Sequence, residues 1–182
     1  MLSIQSPLLP IHAQLAAYAN TGAYTDCFAT DIPRSVSHAE FVEAFYTGRL
    51  FKLERWLLRV FLSKPSTDLQ ARQLAAGELN EFAVWRVEAR AEDQLLLRAM
   101  DGRTLSWLMV SAVSAVPSAH EANEAHDVNR ANGTRLYFGS AVAPVMNAST
   151  GKLEMGFVFK ALLGFHKLYS RALLSAAARR LS

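Results

Sequence analysis

FVFKALLGFHKLYSRALLSAAARRLS, Phe157–Ser182, is the longest stretch of the chain with a single clear period, and its reading decides the fold. Turned through about 100° per residue, it sets Lys160, Gly164, Lys167, Arg171, Ser175, Ala178 and Ser182 on one narrow stripe. Phe159, Leu162, Phe165, Tyr169, Leu173 and Ala176 fall opposite, which predicts one long amphipathic helix. The apolar side is wider than one packing contact needs, so the helix is expected to press into a concave surface. His166 falls in the middle of that side, and the segment reads as a helix closing a cavity.

The concave surface is expected from residues 82–113, where the period changes to two. FAVWRVEARA, QLLLRAM and RTLSWLMVSAV alternate in polarity and are separated by Glu92-Asp93 and Asp101-Gly102, the turn chemistry of an antiparallel meander. Two-residue loops pair Met100 with Arg103, Arg98 with Leu105 and Leu96 with Trp107. One face then carries Trp85, Val87, Ala89, Leu96, Met100, Leu105, Trp107 and Met109, with Arg98 its charged member. The reverse carries Arg86, Glu88, Arg90, Thr104 and Ser106, so the first face is expected to meet the C-terminal helix.

Upstream, AYTDCFAT (23–30) reads as a first strand. Ser37-His38-Ala39-Glu40 has capping-box spacing and opens a short helix with Phe41, Ala44 and Phe45 on its apolar stripe. A second helix over 50–62 is expected to bury Leu53, Trp56, Leu57, Val60 and Phe61. Ser66 or Thr67 can cap a third over 68–76, and Gly77 is its natural stop. Residues 117–133 read as an exposed polar loop, and TRLYFGSAV (134–142) as the last strand. Residues 1–22 form a poorly periodic lead-in without chemistry, and 23–182 a single domain.

Bulk properties narrow the function class. The 182 residues, 51% hydrophobic, suffice for one sizeable core. A net charge of +3 from 19 basic and 16 acidic residues is too weak and mixed for a nucleic-acid footprint, so no nucleic-acid partner is expected. Arg171, Arg179 and Arg180 belong to the last helix, near whose C-terminus the dipole favours cations. The single cysteine, Cys27, excludes an intramolecular disulfide and reads as a small core residue of a protein in the reducing cytoplasm. The N-terminal run lacks Lys and Arg and is broken by Ser6, Pro7, Pro10 and His12, so no signal peptide is expected. No apolar run approaches the ~20 residues of a transmembrane segment.

The order of strand, helices, meander and long C-terminal helix resembles the α+β helix-grip fold of the START-like superfamily, the polyketide cyclase/dehydrase group, also called SRPBCC. Ala161-Leu162-Leu163-Gly164-Phe165-His166-Lys167-Leu168-Tyr169, with Trp85-Arg86-Val87 and Leu95-Leu96-Leu97-Arg98, resembles a bacterial family of that superfamily, domain of unknown function 2867. The resemblance covers residues 23–181 and implies a curved antiparallel sheet wrapped around the C-terminal helix, with an apolar cavity between them. It carries over no catalytic residue. The extra helix before the meander and the polar loop at 117–133 depart from the usual seven-stranded pattern.

Other constellations carry less. His120, Glu121, Glu124, His126 and Asp127 match no metal-ligand spacing, because zinc-peptidase chemistry needs two histidines one helical turn apart and these are six apart. No serine sits in a Gly-x-Ser-x-Gly elbow and no glycine-rich phosphate loop occurs, so neither metal nor cofactor is expected. The residues expected to line a ligand pocket are Trp85, Arg98, Trp107, Phe165, His166 and Tyr169, with Arg98 placed to hold a ligand carboxylate. His166 reads either as a core residue with a hydrogen-bonded ring or as a pocket donor.

Three readings follow. The first is a cytoplasmic, cofactor-free protein binding a small hydrophobic or amphipathic ligand. The second is an enzyme of the cyclase or dehydratase type, with His166 as general acid/base and Arg98 or Tyr169 stabilising an enolate. The third is a structural or partner-binding module whose wide apolar helix packs a filled core or a second subunit of a homodimer.

Overall fold

The computed structural model of the protein describes residues 3–53, 65–114, 131–146, 151 and 153–182. It is an α+β structure built on one six-stranded antiparallel sheet. After a single helical turn, α1 (Ala16–Ala19), come β1 (Tyr24–Ile32), α2 (His38–Tyr46) and α3 (Asp68–Ala76). The meander follows as β2 (Glu81–Phe82), β3 (Trp85–Arg90), β4 (Gln94–Ala99), β5 (Thr104–Ser114) and β6 (Ala131–Val142). A small ribbon of β7 (Val145–Met146) and β8 (Leu153–Glu154) leads into α4 (Phe157–Leu181). The sheet order is β1-β6-β5-β4-β3-β2, so the first strand returns to pair with the last.

Local chemistry sets the helix ends as the sequence predicts. Ser37 and Glu40 form a complete capping box on α2, and Thr67 with Gln70 does the same for α3, which Gly77 ends in the left-handed conformation. Residues 49–53 are helical. There Phe51 is buried against Phe45 and Tyr46, so Leu53, two residues on and across the helix, is exposed rather than buried. Trp56, Leu57, Val60 and Phe61 lie outside the described residues, as do residues 117–130 of the expected loop, while residues 131–133 belong to β6 rather than to a loop.

The registers expected from both turns hold, although the connection at Asp101-Gly102 is a loop of residues 100–103, closed by the Gly102 N–H on the Ala99 carbonyl, in which Met100 and Arg103 do not pair. Ala91 and Gln94 bond each other across Glu92-Asp93, while Leu96 pairs with Trp107 and Arg98 with Leu105 across Asp101-Gly102. The face assignment fails at one residue. A bulge at Glu88 shifts the β3–β4 register, so Ala89 opposes Leu96 but Val87 opposes Leu97 and Trp85 opposes Ala99. Trp85 and Val87 therefore point to one side of the sheet, and Leu96, Arg98, Leu105, Trp107 and Met109 to the other.

The C-terminal helix covers the side opposite the one expected. Phe28, Leu95, Leu97, Leu108, Leu136 and Phe138 share a core with α2 and with Leu173, Leu174, Ala177, Ala178 and Leu181 of α4. The other side carries Cys27, Leu96, Leu105, Trp107, Met109 and Ala141, and is covered by Ala13 and Leu15 of the lead-in. Strand β4 was ambiguous because Gln94, Leu95, Leu96 and Leu97 are buried in succession, and a strand covered on both faces has no polar side to read. Gly139 lies where the layers are tightest. A Cβ there would come within 2.7 Å of the Asp26 carbonyl oxygen and 2.9 Å of Leu15.

Helix α4 is continuous as predicted but rotated by roughly a quarter turn. Ser170, Leu173, Leu174, Ala177, Ala178 and Leu181 are buried, whereas Leu162 is 54% and Phe165 66% exposed. The buried seam carries small residues that let the helix approach the sheet closely, a packing advantage that a hydrophobicity count does not register.

Candidate functional site

Strand β1 brings Tyr24, Asp26 and Phe28 to the helix side, and its partner β6 brings Phe138 and Ser140 beside them. Helix α4 lays His166 over this pair. The Asp26 side chain is only 8% exposed and all its lone pairs are engaged. Its Oδ1 accepts from the Ser140 amide at 2.9 Å and the Ser140 hydroxyl at 2.8 Å, and its Oδ2 from the Tyr24 hydroxyl at 3.0 Å. His166 Nε2 lies 3.0 Å from Asp26 Oδ2 and 2.9 Å from Ser140 Oγ.

Burial alone would raise the Asp26 pKa, but the hydrogen bonds from His166, Ser140 and Tyr24 outweigh it and hold the carboxyl below its ordinary value. Burial, aided by Asp26, raises Tyr24, so that hydroxyl keeps its proton and remains a donor. The same two causes push the Cys27 thiol up to about 12, which leaves it an inert core group rather than a nucleophile.

Serine, histidine and aspartate therefore meet, but not as a hydrolytic triad. In a triad the carboxylate holds one ring nitrogen and the serine hydroxyl gives its proton to the other. Here both partners meet Nε2, and the single Ser140 proton already goes to Asp26. Ser140 is a strut, and the ring's second nitrogen, Nδ1, has no hydrogen-bond partner among the described residues.

His166 and Ser140 also line a cavity of about 150 Å³ between sheet and helix. Its apolar walls are Phe45, Phe51, Trp85, Phe138, Tyr169 and Leu173, while Ser106 and Ser170 add hydroxyl groups. Ser106 lies 3.4 Å from the Tyr46 hydroxyl. The Trp85 indole N–H is buried without a hydrogen-bond partner among the described residues, and a buried donor left so carries a desolvation cost of about 1–3 kcal/mol.

Of the six residues expected at the pocket, Trp85, His166 and Tyr169 meet there. Trp107 does not: it is wholly buried on the far side, where its N–H donates to Gln94 Oε1 at 2.9 Å. Phe165 stacks on Tyr169 but faces outward, as the rotation of α4 requires. Arg98 is also on the far side. It donates to both Glu88 oxygens at 2.8 and 2.7 Å, to the Gly102 carbonyl at 2.8 Å and to the Tyr18 hydroxyl at 2.9 Å. Those bonds hold the Glu88 carboxyl down at about 2, and the guanidinium is occupied by protein partners rather than placed for a ligand.

Sequence reasoning missed Asp26 and Ser140. A signal existed in the first strand, where Asp26 shares a face with Tyr24 and Phe28, so a carboxylate on a buried strand face had to find partners. Its pairing with a residue 140 positions away could not be read locally. No group of three or more His, Cys, Asp or Glu side chains is placed to hold a metal among the described residues, and the cluster from His120 to Asp127 lies outside them. No described helix is long and apolar enough to cross a membrane.

Comparison of the chain with protein-family models, with curated proteins and with solved structures found no match.

Proposed function

We propose that the chain adopts a helix-grip fold of the START-like type and that the space between its sheet and C-terminal helix binds a small amphipathic ligand in the cytoplasm. The strand order supports the fold: the helices follow β1, the meander returns to pair with β1, and α4 lies across the same face as α2. The buried free thiol of Cys27 accords with a reducing compartment.

The observation that carries the binding reading is the combination of a cavity with a lining residue, Trp85, whose buried donor is unsatisfied among the described residues. A cavity of about 150 Å³ accepts a molecule the size of one aromatic ring. Trp85, whose buried indole N–H has no hydrogen-bond partner among the described residues, lines this space together with His166. A ligand with an apolar body and one polar end would satisfy both demands, whereas a filled structural core would have had neither void nor orphan donor. The enzyme reading loses the support of Arg98, which lies on the other face.

Titration with benzyl alcohol, followed by proton–nitrogen NMR, tests this. The Trp85 indole N–H resonance is expected to shift saturably, while that of Trp107, on the other face, stays fixed. No saturable shift at Trp85 up to the solubility limit of the alcohol overturns the reading.

A further inference from the structure

The N-terminal half of α4 leaves one side uncovered. Leu162, Phe165 and Leu168 are each more than half exposed there, and Leu8 of the lead-in is 93% exposed. These are four of the ten large apolar side chains exposed among the described residues. At about 100° per residue, Phe165 and Leu168 stand roughly opposite the buried seam of Ser170, Leu173, Leu174 and Ala177. Apolar side chains scattered singly over a surface need no explanation, but a cluster of them marks a contact.

An open groove of about 540 Å³ joins the two segments. Ser6, Pro7, Leu8 and Leu9 border it on one side, Lys167 and Arg171 on the other. Arg171 Nη2 donates to Ser6 Oγ at 2.9 Å and the guanidinium lies 5.4 Å from the centre of the Phe28 ring, which ties the lead-in to the helix. Lys167 and Arg171 are both exposed and about 40° apart around α4, between the groove and the Phe165–Leu168 face. The cations therefore lie between two apolar projections.

The charge of this surface has one sign. Helix α4 carries Lys160, Lys167, Arg171, Arg179 and Arg180 and no Asp or Glu. Asp26 is the acidic residue at the groove, and it is buried and already engaged by Ser140, Tyr24 and His166. A second copy fits poorly, because pairing two such helices sets cations against cations with no carboxylate between them. A protein partner would need a matched pocket for each side chain projecting from two separate elements. The headgroup–acyl boundary of a bilayer takes such side chains without matched pockets, and anionic headgroups complement the cations.

We propose that α4 and the loop around Leu8 form a docking surface for an anionic lipid bilayer. Leu8, Phe165 and Leu168 enter the headgroup–acyl boundary, and Lys167 and Arg171 meet lipid phosphates. Docking is peripheral and does not depend on the cavity between sheet and helix.

Cosedimentation of the protein with vesicles tests this. At low ionic strength it is expected to bind phosphatidylcholine vesicles containing about one third phosphatidylglycerol at least about tenfold more tightly than pure phosphatidylcholine, and to lose that preference in about 0.5 M salt. The double variant Phe165→Ser/Leu168→Ser keeps every charge, so attraction by net charge alone survives it, whereas docking should weaken about tenfold or more. Lys167→Gln should weaken it about fivefold at low salt. Leu8→Gln, on a different element, should also weaken it about fivefold, and it decides the matter if the double variant does not fold. Absence of binding to the anionic vesicles, equal binding to pure phosphatidylcholine, or undiminished binding by the folded variants each overturns the proposal. A concentration-dependent dimer that the double variant loses overturns it in favour of a second copy. Saturable binding of polyglutamate that the double variant loses, without vesicle binding, overturns it in favour of an acidic protein.

Discussion

Trp85 and Trp107 belong to the same sheet and face opposite ways, and their surroundings differ in kind. The Trp107 N–H donates to Gln94 Oε1, which also accepts from the Gln14 amide at 2.9 Å, while Gln94 Nε2 donates to the His12 carbonyl at 3.1 Å. The Trp107 N–H and both ends of the Gln94 amide have partners, although the nearby Gln14 Oε1 is buried without one among the described residues, and the ring packs on Tyr137 and beneath the lead-in. Trp85 has neither: its N–H is buried without a partner among the described residues, and it borders a void. A satisfied network in a filled layer holds the fold together, whereas an incomplete one beside empty space is where a ligand can gain free energy.

Three measurements would break or sharpen this contrast. The largest effect is expected from Trp107→Ala, which should cost about 3–5 kcal/mol in chemical denaturation, as large aromatic truncations in filled cores do. A cost under about 1 kcal/mol would mean that the lead-in is not a true second layer. The lead-in would then be an appendage, and the far face would be open.

The helix side should also be the acid-sensitive one. Burial lowers His38 from 6.5 to about 4, and its Nε2 has no hydrogen-bond partner among the described residues. Between those values the unfolded chain binds a proton that the folded chain refuses, so stability is full above pH 6.5 and declines as pH falls toward 4. The loss is on the order of 3 kcal/mol. Asp26, Asp31 and Glu88 are held below their ordinary values and act in a lower window, losing their contribution only as pH drops beneath about 4. Stability profiles of wild type and His38→Leu check this: the variant should be flat from 6.5 to 4, and a parallel decline in both would assign the acid sensitivity elsewhere.

The smallest effect is expected at Phe165. It is two-thirds exposed, so Phe165→Ser should change stability by less than about 0.5 kcal/mol. A loss of about 3 kcal/mol would restore the helix orientation suggested by hydrophobicity and move His166 away from Asp26.

Much of this fold was legible in the residues. Capping boxes at Ser37–Glu40 and Thr67–Gln70 each need only four consecutive residues, and the turns at Glu92-Asp93 and Asp101-Gly102 set their pairings within a few positions. The length of α4 follows from one sustained period. Part of the cavity wall was legible too, since Trp85, His166 and Tyr169, expected to line a pocket, border the one between sheet and helix. Phe165 was misplaced by the rotation of α4, and Trp107 and Arg98 because that helix covers the opposite face of the sheet, while the bulge in β3 is what turns Trp85 to the helix side.

By itself the sequence determined the capped ends of α2 and α3, the span of α4 and which residues of β4 and β5 oppose each other, because those outcomes depend on hydrogen bonds and sterics within a few positions. Strands β2, β7 and β8 and the first three residues of β6 were not read. Which face of the sheet meets the C-terminal helix was decided only in three dimensions, since β4 and β5 are apolar on both faces and two covers, the lead-in and α4, compete for them. The rotation of α4 was decided there as well. The close approach allowed by Ser170 and Ala177, and the contact of His166 with an aspartate 140 residues earlier, are properties of packed surfaces that no local period encodes.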